Sequence, residues 1–287
     1  MYVGRFAPSP TGALHFGSLV AALASWLDAR AAEGRWLVRI EDLDAPRVQP
    51  GAADEILRTL EQLGLNWDGP VVYQSQREQR YAAALQRLQS RTYWCGCTRR
   101  EIADSALGLA ADGAQLYPGT CRKGIAPGRA PRALRIRAMG DEIRFNDRVQ
   151  GPRRQNVEAE VGDFVLYRAD GQFAYQLAVV LDDAEQGVTD VVRGADLLDS
   201  TARQICLQRL LGYPQPRYLH VPAAVNAAGE KLSKQTGAPP IDVANGKEEL
   251  RKALAFLGQA ENDDLAAAVK KWNPALIPRE RAVAAIP

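Results

Sequence analysis

The stretch Arg5-Phe-Ala-Pro-Ser-Pro-Thr-Gly-Ala-Leu-His-Phe-Gly-Ser18 decides the fold. It follows a short apolar run, Tyr2-Val-Gly, and leads into an apolar-periodic stretch from Leu19 to Ala32. The order is strand, sharp loop, helix. Pro8 and Pro10 can neither continue a strand ladder nor sit inside a helix. Gly12 and Gly17 let the backbone turn tightly and approach a ligand. Ser18 is placed as the N-cap of the helix that follows. A helix N-terminus after a strand offers free N–H groups and a positive dipole end, which suits a phosphate. His15, one of two histidines in the chain, lies in this turn. A lone histidine is commonly structural, but its company of Pro and Gly in one turn favours a ligand contact.

Working outward, Leu19, Leu23 and Trp26 form the core stripe of the first helix, and Gly34 is expected to close it in the left-handed conformation. Trp36 to Ile40 reads as a buried strand that delivers Glu41-Asp42-Leu43-Asp44 at its C-terminal end, where ligands of parallel sheets bind. Ala53 to Leu63 reads as a helix with Gly64 as its stop, and Tyr73 to Arg77 opens another that runs through Leu88. Thr98 and Glu101 have capping-box spacing. Strands are expected at 134–137, 143–145 and 163–167. Asp170-Gly171 is a hairpin signal. The run from Phe173 to Asp183 is expected to return to the sheet core and end in two carboxylates. A strand over 188–196, a helix from Ser200 to Leu211, and short helices over 248–257 and 264–272 complete the reading.

The chain has 287 residues, 46% hydrophobic and 24% charged, which fits one large or two small globular domains. No apolar run reaches the ~20 residues of a membrane span, and no signal-peptide pattern opens the chain, so a cytoplasmic location is expected. A net charge of +2 does not by itself announce nucleic acid. Arginines do cluster: Arg99, Arg100, Arg122, Arg129, Arg132, Arg135, Arg137, Arg144, Arg148, Arg153 and Arg154 form a candidate phosphate-binding face or an ordinary solvated surface. Of the four cysteines, Cys95, Cys97 and Cys121 lie close in sequence. Three thiolates can serve a tetrahedral zinc, or can be reduced structural thiols.

Pro8-Ser-Pro-Thr-Gly-x-Leu-His15-x-Gly17 resembles the first signature, the HIGH motif, of class I aminoacyl-tRNA synthetases. The preceding Arg-x-Ala resembles their glutamyl/glutaminyl branch. Lys231-Leu-Ser-Lys234-Gln235 resembles the second signature, the KMSKS loop. Arg39 to Asp44 matches the branch's Arg-Ile-Glu-Asp-x-Asp, and Gly-Asp-Phe, Val-x-Asp-Asp, Arg-Gly-x-Asp and Ser-Thr-x-x-Gln follow in family order. The resemblance covers about residues 1 to 280. It implies an α/β fold: a Rossmann-type parallel sheet with helices on both faces, a zinc-binding insertion and a small helical C-terminal segment. The implied division is a catalytic domain over 1–94 and 160–235, a zinc-binding and acceptor-binding insertion over 95–159, and a helical segment over 236–287, with no anticodon-binding domain expected.

By the same resemblance, the carboxylate of L-glutamate attacks the α-phosphorus of ATP, with Mg2+ accompanying the nucleotide. His15, Gly17 and Lys234 meet the ATP phosphates, and Lys231 and Lys234 act with His15 in the chemistry. Arg5, Phe6, Ala7, Pro8, Ser9, Glu41, Tyr175 and Arg193 line the glutamate pocket, Glu41 facing the amino group. Which arginine meets which carboxylate stays open. His220, in a His-x-Pro segment, is read as structural. The family often has Asn four residues after the tyrosine, where this chain has Val179, so the amino acid or the acceptor is held differently. Cys95-x-Cys97 followed by Tyr117-x-x-x-Cys121 resembles a short paralogue of glutamyl-tRNA synthetase. That likeness implies one structural Zn2+ on those four residues. It also implies tRNA-independent glutamate activation and transfer to queuosine in the anticodon stem-loop of tRNA(Asp), by an enzyme expected to be a monomer. The alternatives are a minimal glutamyl-tRNA synthetase that charges a tRNA 3′ end and a non-catalytic RNA-binding paralogue.

Overall fold

The computed structural model describes residues 1–232, 238–262 and 264–285. In chain order its elements are β1 (Val3–Phe6), α1 (Phe16–Ala31), β2 (Arg35–Ile40), α2 (Ala52–Gln62), β3 (Val72–Tyr73), α3 (Glu78–Arg87), β4 (Thr92–Cys95) and α4 (Arg99–Ser105). Then come β5 (Ala133–Ile136), β6 (Glu142–Asp147), β7 (Gly151–Asn156), α5 (Val157–Glu160), β8 (Val165–Tyr167), α6 (Tyr175–Glu185), β9 (Asp190–Gly194) and α7 (Thr201–Leu211). The chain closes with β10 (Arg217–Val221), β11 (Ala223–Val225), α8 (Gly246–Phe256), α9 (Leu265–Lys271) and β12 (Ala282–Ala284).

Strands β1, β2 and β3 pair in parallel, as do β6, β10 and β9, and β7 adds antiparallel to β6. The two sets meet where Thr189 N–H donates to Val3 O (2.9 Å) and Val3 N–H to Thr189 Oγ1 (2.9 Å). The layer therefore runs β3-β2-β1-β9-β10-β6-β7. From β1 the chain crosses by α1 to β2 on one side, and from β9 by α7 to β10 on the other. The direction reverses between β1 and β9, and the crevice at the carboxyl ends of those strands is where such sheets bind ligands. One apolar cluster packs α1, α2 and α8 on one face, and a second packs α3, α6 and α7 on the other. The expected α/β sheet covered on both faces is present. No helix among the described residues is long and apolar enough to cross a membrane.

Part of the cysteine-bearing region forms a separate antiparallel sheet, β4-β5-β8. Strands β6 and β7 join the main sheet instead, through the pair Tyr218↔Asp147. The arginines between Arg99 and Arg154 divide accordingly. Arg135 is buried with its guanidinium 3.9 Å over the Tyr117 ring, Arg137 lies over Tyr93, Arg122 pairs with Asp163, and Arg148 pairs with buried Asp28. Arg99, Arg100, Arg129, Arg132, Arg144, Arg153 and Arg154 are exposed, and Arg148 stays exposed despite its pairing. Arg122, Arg135 and Arg137 are drawn inward, and the other members of the cluster stay at the surface.

Three local expectations are corrected. Helix α1 starts at Phe16, so His15 is its N-cap and Ser18 is the third helical residue. Glu33, at φ 51°, takes the left-handed position after α1. Gly34 is needed for another reason: a Cβ there would lie 2.6 Å from Tyr2 O and Tyr2 Cβ. Finally, Phe173–Asp183 is no strand; Tyr175–Glu185 forms α6. Leu177 to Leu181 are all buried, so periodicity carried no information, and only the run's length of 11 residues spoke for a helix.

Helix α6 presents Asp182 and Asp183 to the sheet. Fully buried Arg39 on β2 donates to Asp183 Oδ1 (2.8 Å), Gln186 Oε1 (2.7 Å) and Glu41 Oε1 (3.2 Å). Asp182 accepts from Gln74 (2.8 Å), Arg77 (2.7 Å) and Tyr81 (2.9 Å). Removing one partner of such a buried network strands the opposite charges. The Arg39→Met variant should lose about 3–5 kcal/mol in urea denaturation; a loss below about 1 kcal/mol would show that the network does not hold α6 on the sheet.

Candidate active site

A cleft of about 530 Å³ opens at the carboxyl ends of β1 and β9. Its lining brings together Arg5, Phe6, Ala7, Pro8, Ser9, His15, Gly17, Glu41, Tyr175, Arg193 and Lys231, the sequence-predicted residues among those described. Lys234 lies outside the described residues. The loop after β1 is pinned to its neighbours: Glu41 N–H donates to Pro8 O (2.9 Å) and Gln49 N–H to Pro10 O (2.9 Å). The His15 ring lies over the first turn of α1, with Nδ1 3.4 Å from Ser18 N and Nε2 3.1 Å from Ser18 Oγ. Gly17 is packed against that ring, since a Cβ would come 3.2 Å from His15 Cε1.

The two signature segments are physically adjacent. Lys231 pairs as a strand bridge with Val225, and Leu232 N–H donates to Ala224 O (2.8 Å). On the far side of residues 233–237, Pro240 bridges to His15 and Ile241 N–H donates to Leu14 O (2.9 Å). Lys231 Nζ reaches Asp196 Oδ2 at 2.6 Å, and Asp196 lines the same cleft.

The two cleft arginines are held differently. Arg5 commits Nε and Nη2 to Asp183 (3.1 and 3.3 Å), which leaves its Nη1 end for a further acceptor. Burial would raise the Asp183 carboxyl, but Arg5 and Arg39 outweigh it and hold it below the usual carboxylate range. Glu41 goes the other way: burial dominates over Arg39 and Arg5, and its carboxyl is raised. Burial also raises the Tyr175 phenol, against the pull of Arg193. Arg193 donates from Nε to His220 Nε2 (2.9 Å), from Nη1 to Gln204 Oε1 (2.8 Å), and from Nη2 to Thr201 Oγ1 (2.9 Å) and Leu197 O (3.4 Å). All four acceptors are uncharged. Val179 packs in the apolar cluster under α6 rather than lining the cleft.

A second constellation lies in the small sheet. Cys95, Cys97 and Cys121 hold their sulfurs within 4.8 Å of one another. Cys97 Sγ is 3.6 Å from Cys121 Sγ, and the Tyr117 hydroxyl is 3.3 Å from Cys95 Sγ and 3.8 Å from Cys97 Sγ. The edge of a tetrahedron with ~2.3 Å metal–sulfur bonds is about 3.7 Å, so these spacings fit one metal ion and are far from a disulfide. The Tyr117 hydroxyl, the oxygen donor that the family resemblance groups with these thiols, lies beside them.

Residues 2–257 match the family described as tRNA synthetases class I (E and Q), catalytic domain. A glutamyl-Q tRNA(Asp) synthetase from Verminephrobacter eiseniae is 60% identical over 262 residues, covering 90% of each chain. One from Aromatoleum aromaticum is 61% identical over 260 residues, covering 90% of this chain and 82% of its own. The chain belongs to the glutamyl-Q tRNA(Asp) synthetases of class I. A solved glutamate-tRNA synthetase from Elizabethkingia anophelis superposes with TM-score 0.78 at 25% identity, over 98% of this chain and 67% of its own.

As a class I synthetase the chain is an enzyme of the ligase type, and its cleft carries residues that sequence reasoning did not assign. Asp183 and Arg39 fix Arg5 and Glu41, and Asp196 meets Lys231. Thr201 and Gln204 stood in a family-like block with no role attached, and both now contact Arg193. Asp147, in no motif at all, accepts from His220.

His220 is fully buried, and burial pushes its imidazole down to about 4, against the opposing effect of its hydrogen bond to Asp147. The unfolded chain therefore takes up this proton near pH 6.5 while the folded chain stays neutral. Its contribution should be fully present above pH 6.5 and lost as pH falls towards about 4. In urea denaturation across that window, His220→Gln should remove up to one proton of the wild-type slope; an unchanged slope would contradict the neutral assignment.

Proposed function

We propose that this chain activates L-glutamate with ATP, without tRNA, and transfers the glutamyl group to queuosine in the anticodon loop of tRNA(Asp). The observation that carries the reading is its roughly 60% identity, over 90% of each chain, to an enzyme named for that acceptor. The intact His15 and Lys231 segments beside one cleft favour a working enzyme over an RNA-binding paralogue.

In the first step a glutamate carboxylate oxygen attacks the α-phosphorus of ATP and pyrophosphate leaves. In the second, the acceptor attacks the acyl carbon and AMP leaves. The chain's work is placement and charge stabilisation. The Nη1 end of Arg5 and the guanidinium of Arg193 take the two carboxylates, with Ser9 and Tyr175 beside them. Glu41 takes the ammonium group. His15 and the N-terminal N–H groups of α1 take phosphate oxygens. Lys231 and Lys234 oppose the charge growing on pyrophosphate, and Lys231 must exchange its Asp196 contact to do so. Magnesium would accompany the ATP phosphates. Cys95, Cys97, Cys121 and Tyr117 would hold one zinc ion that braces the small sheet. The exposed arginines around that sheet are the proposed contact for the anticodon stem-loop, and the working unit is proposed to be a cytoplasmic monomer.

The deciding experiment is transfer of labelled glutamate to tRNA from cells with and without queuosine. Labelling that requires queuosine supports the reading; equal labelling of both pools means 3′-end charging and overturns it. For the metal, elemental analysis should give one zinc per chain. Cys121→Ala should release it and lower the thermal midpoint by about 5–10 °C; a metal-free wild type of unaltered stability would end the zinc assignment.

A further inference from the structure

The chain from Asp147 through His220 to Arg193 is closed by donor and acceptor identity alone. An arginine Nε always carries a hydrogen, so His220 Nε2, 2.9 Å from it, must be the lone-pair nitrogen. The ring hydrogen then sits on Nδ1, which donates to Asp147 Oδ2 at 2.6 Å. Thr201 Oγ1, 3.4 Å from Nε2, is compatible with the same assignment as a second donor. Asp147 is itself fixed. Its Oδ1 accepts the backbone N–H groups of Val149 (3.0 Å), Gln150 (2.8 Å) and His220 (3.2 Å). Both His220 and Asp147 are completely buried, so water cannot substitute for a wrongly placed hydrogen.

We propose that Asp147 and His220 are positioning residues for substrate binding: Asp147 holds His220 in the Nδ1–H tautomer, and the bare Nε2 orients the Arg193 guanidinium in the cleft. This rests on the reading above that the cleft takes glutamate. The chain of contacts turns the sequence's structural histidine into a part of the amino-acid pocket, one residue removed from the ligand. It also assigns a role to an aspartate 46 positions from Arg193 in sequence.

The test is Asp147→Asn. Asparagine keeps an oxygen for the three backbone donors but turns an NH2 group towards His220 Nδ1. The ring must then accept there and carry its hydrogen on Nε2, against the Arg193 Nε–H. Glutamate affinity by calorimetry should fall roughly tenfold to hundredfold, the effect of one buried donor forced against another. ATP affinity and the circular dichroism spectrum should stay as in wild type. His220→Gln, whose amide can offer an oxygen to Arg193, should retain more affinity than His220→Phe. The double variant Asp147→Asn with His220→Gln should be no worse than His220→Gln alone, because no fixed tautomer remains to invert. Nitrogen-15 NMR of the histidines reads the tautomer directly, with His15→Asn used to assign the two rings. Wild-type affinity in Asp147→Asn, or an Nε2–H tautomer in the wild type, would overturn the proposal. So would equal weakening of glutamate and ATP, which is the mark of a merely structural role. The NMR result stands apart from substrate identity: wild type that binds ATP but no glutamate refutes the proposed substrate, while the tautomer still decides the Asp147–His220–Arg193 geometry.

Discussion

The structure depends on a buried exchange of charge between one helix and two strands. Asp182 and Asp183 on α6 face Arg5 on β1 and Arg39 on β2, and Arg39 also reaches Glu41. Taking such groups out of water is costly, and only close geometry offsets the desolvation. Arg39 shows how tight the balance is: its Nε has no hydrogen-bond partner and lies 3.8 Å from Asp182 Oδ2. An apolar core would hold the same elements at less risk, but it would not aim polar groups. Here the network sets where the end of Arg5 and the carboxylate of Glu41 stand in the cleft.

The rest of the active region is built onto that frame by backbone hydrogen bonds. Pro8 O receives Glu41 N–H, which ties the loop after β1 to the end of β2. Leu14 O receives Ile241 N–H, and Ala224 O receives Leu232 N–H. The second signature segment is therefore anchored on both flanks, one of them directly against His15. With both flanks so anchored, Lys231 can exchange contacts without moving the sheet, and its exposed ion pair with Asp196 is weak enough to be traded.

What the sequence disclosed and what it concealed follow one rule. The loop from Arg5 to Ser18 was legible because Pro, Gly and a helix start act locally; α2 and α3 showed a one-sided apolar stripe, β2 a short apolar run, and α7 its Ser-Thr start and Leu-Gly stop. Helix α6 was misread because a segment buried on every side shows no period. The cleft residues were legible through motif likeness, but their partners were not. Arg39 and Asp183 are 144 positions apart and His220 and Asp147 are 73 apart, and nothing local in either segment announces the other. Only folding supplies those pairings, and the arginines between Arg99 and Arg154 make the same point, since burial separated them into interior and surface groups.

The contrast between the two cleft arginines bears on selectivity for an acidic amino acid. Arg5 already faces a carboxylate, so an incoming anion meets a guanidinium whose field is partly cancelled. Arg193 is buried to a similar degree yet touches only neutral acceptors, and with the Asp147 carboxylate an imidazole away it keeps more of its field. An acid at position 220 would have satisfied the same Nε hydrogen and cancelled that field. A protonated histidine would have repelled Arg193 and lost the lone pair. The neutral imidazole avoids both, and burial together with Arg193 keeps it neutral, with its titration pushed down to about 4. In the proposed reading this leaves Arg193 the stronger attractor of a free carboxylate. A neutral amide of the same shape could accept from Arg193 but would return far less Coulomb energy in so dry a site, which is a physical basis for preferring glutamate over glutamine.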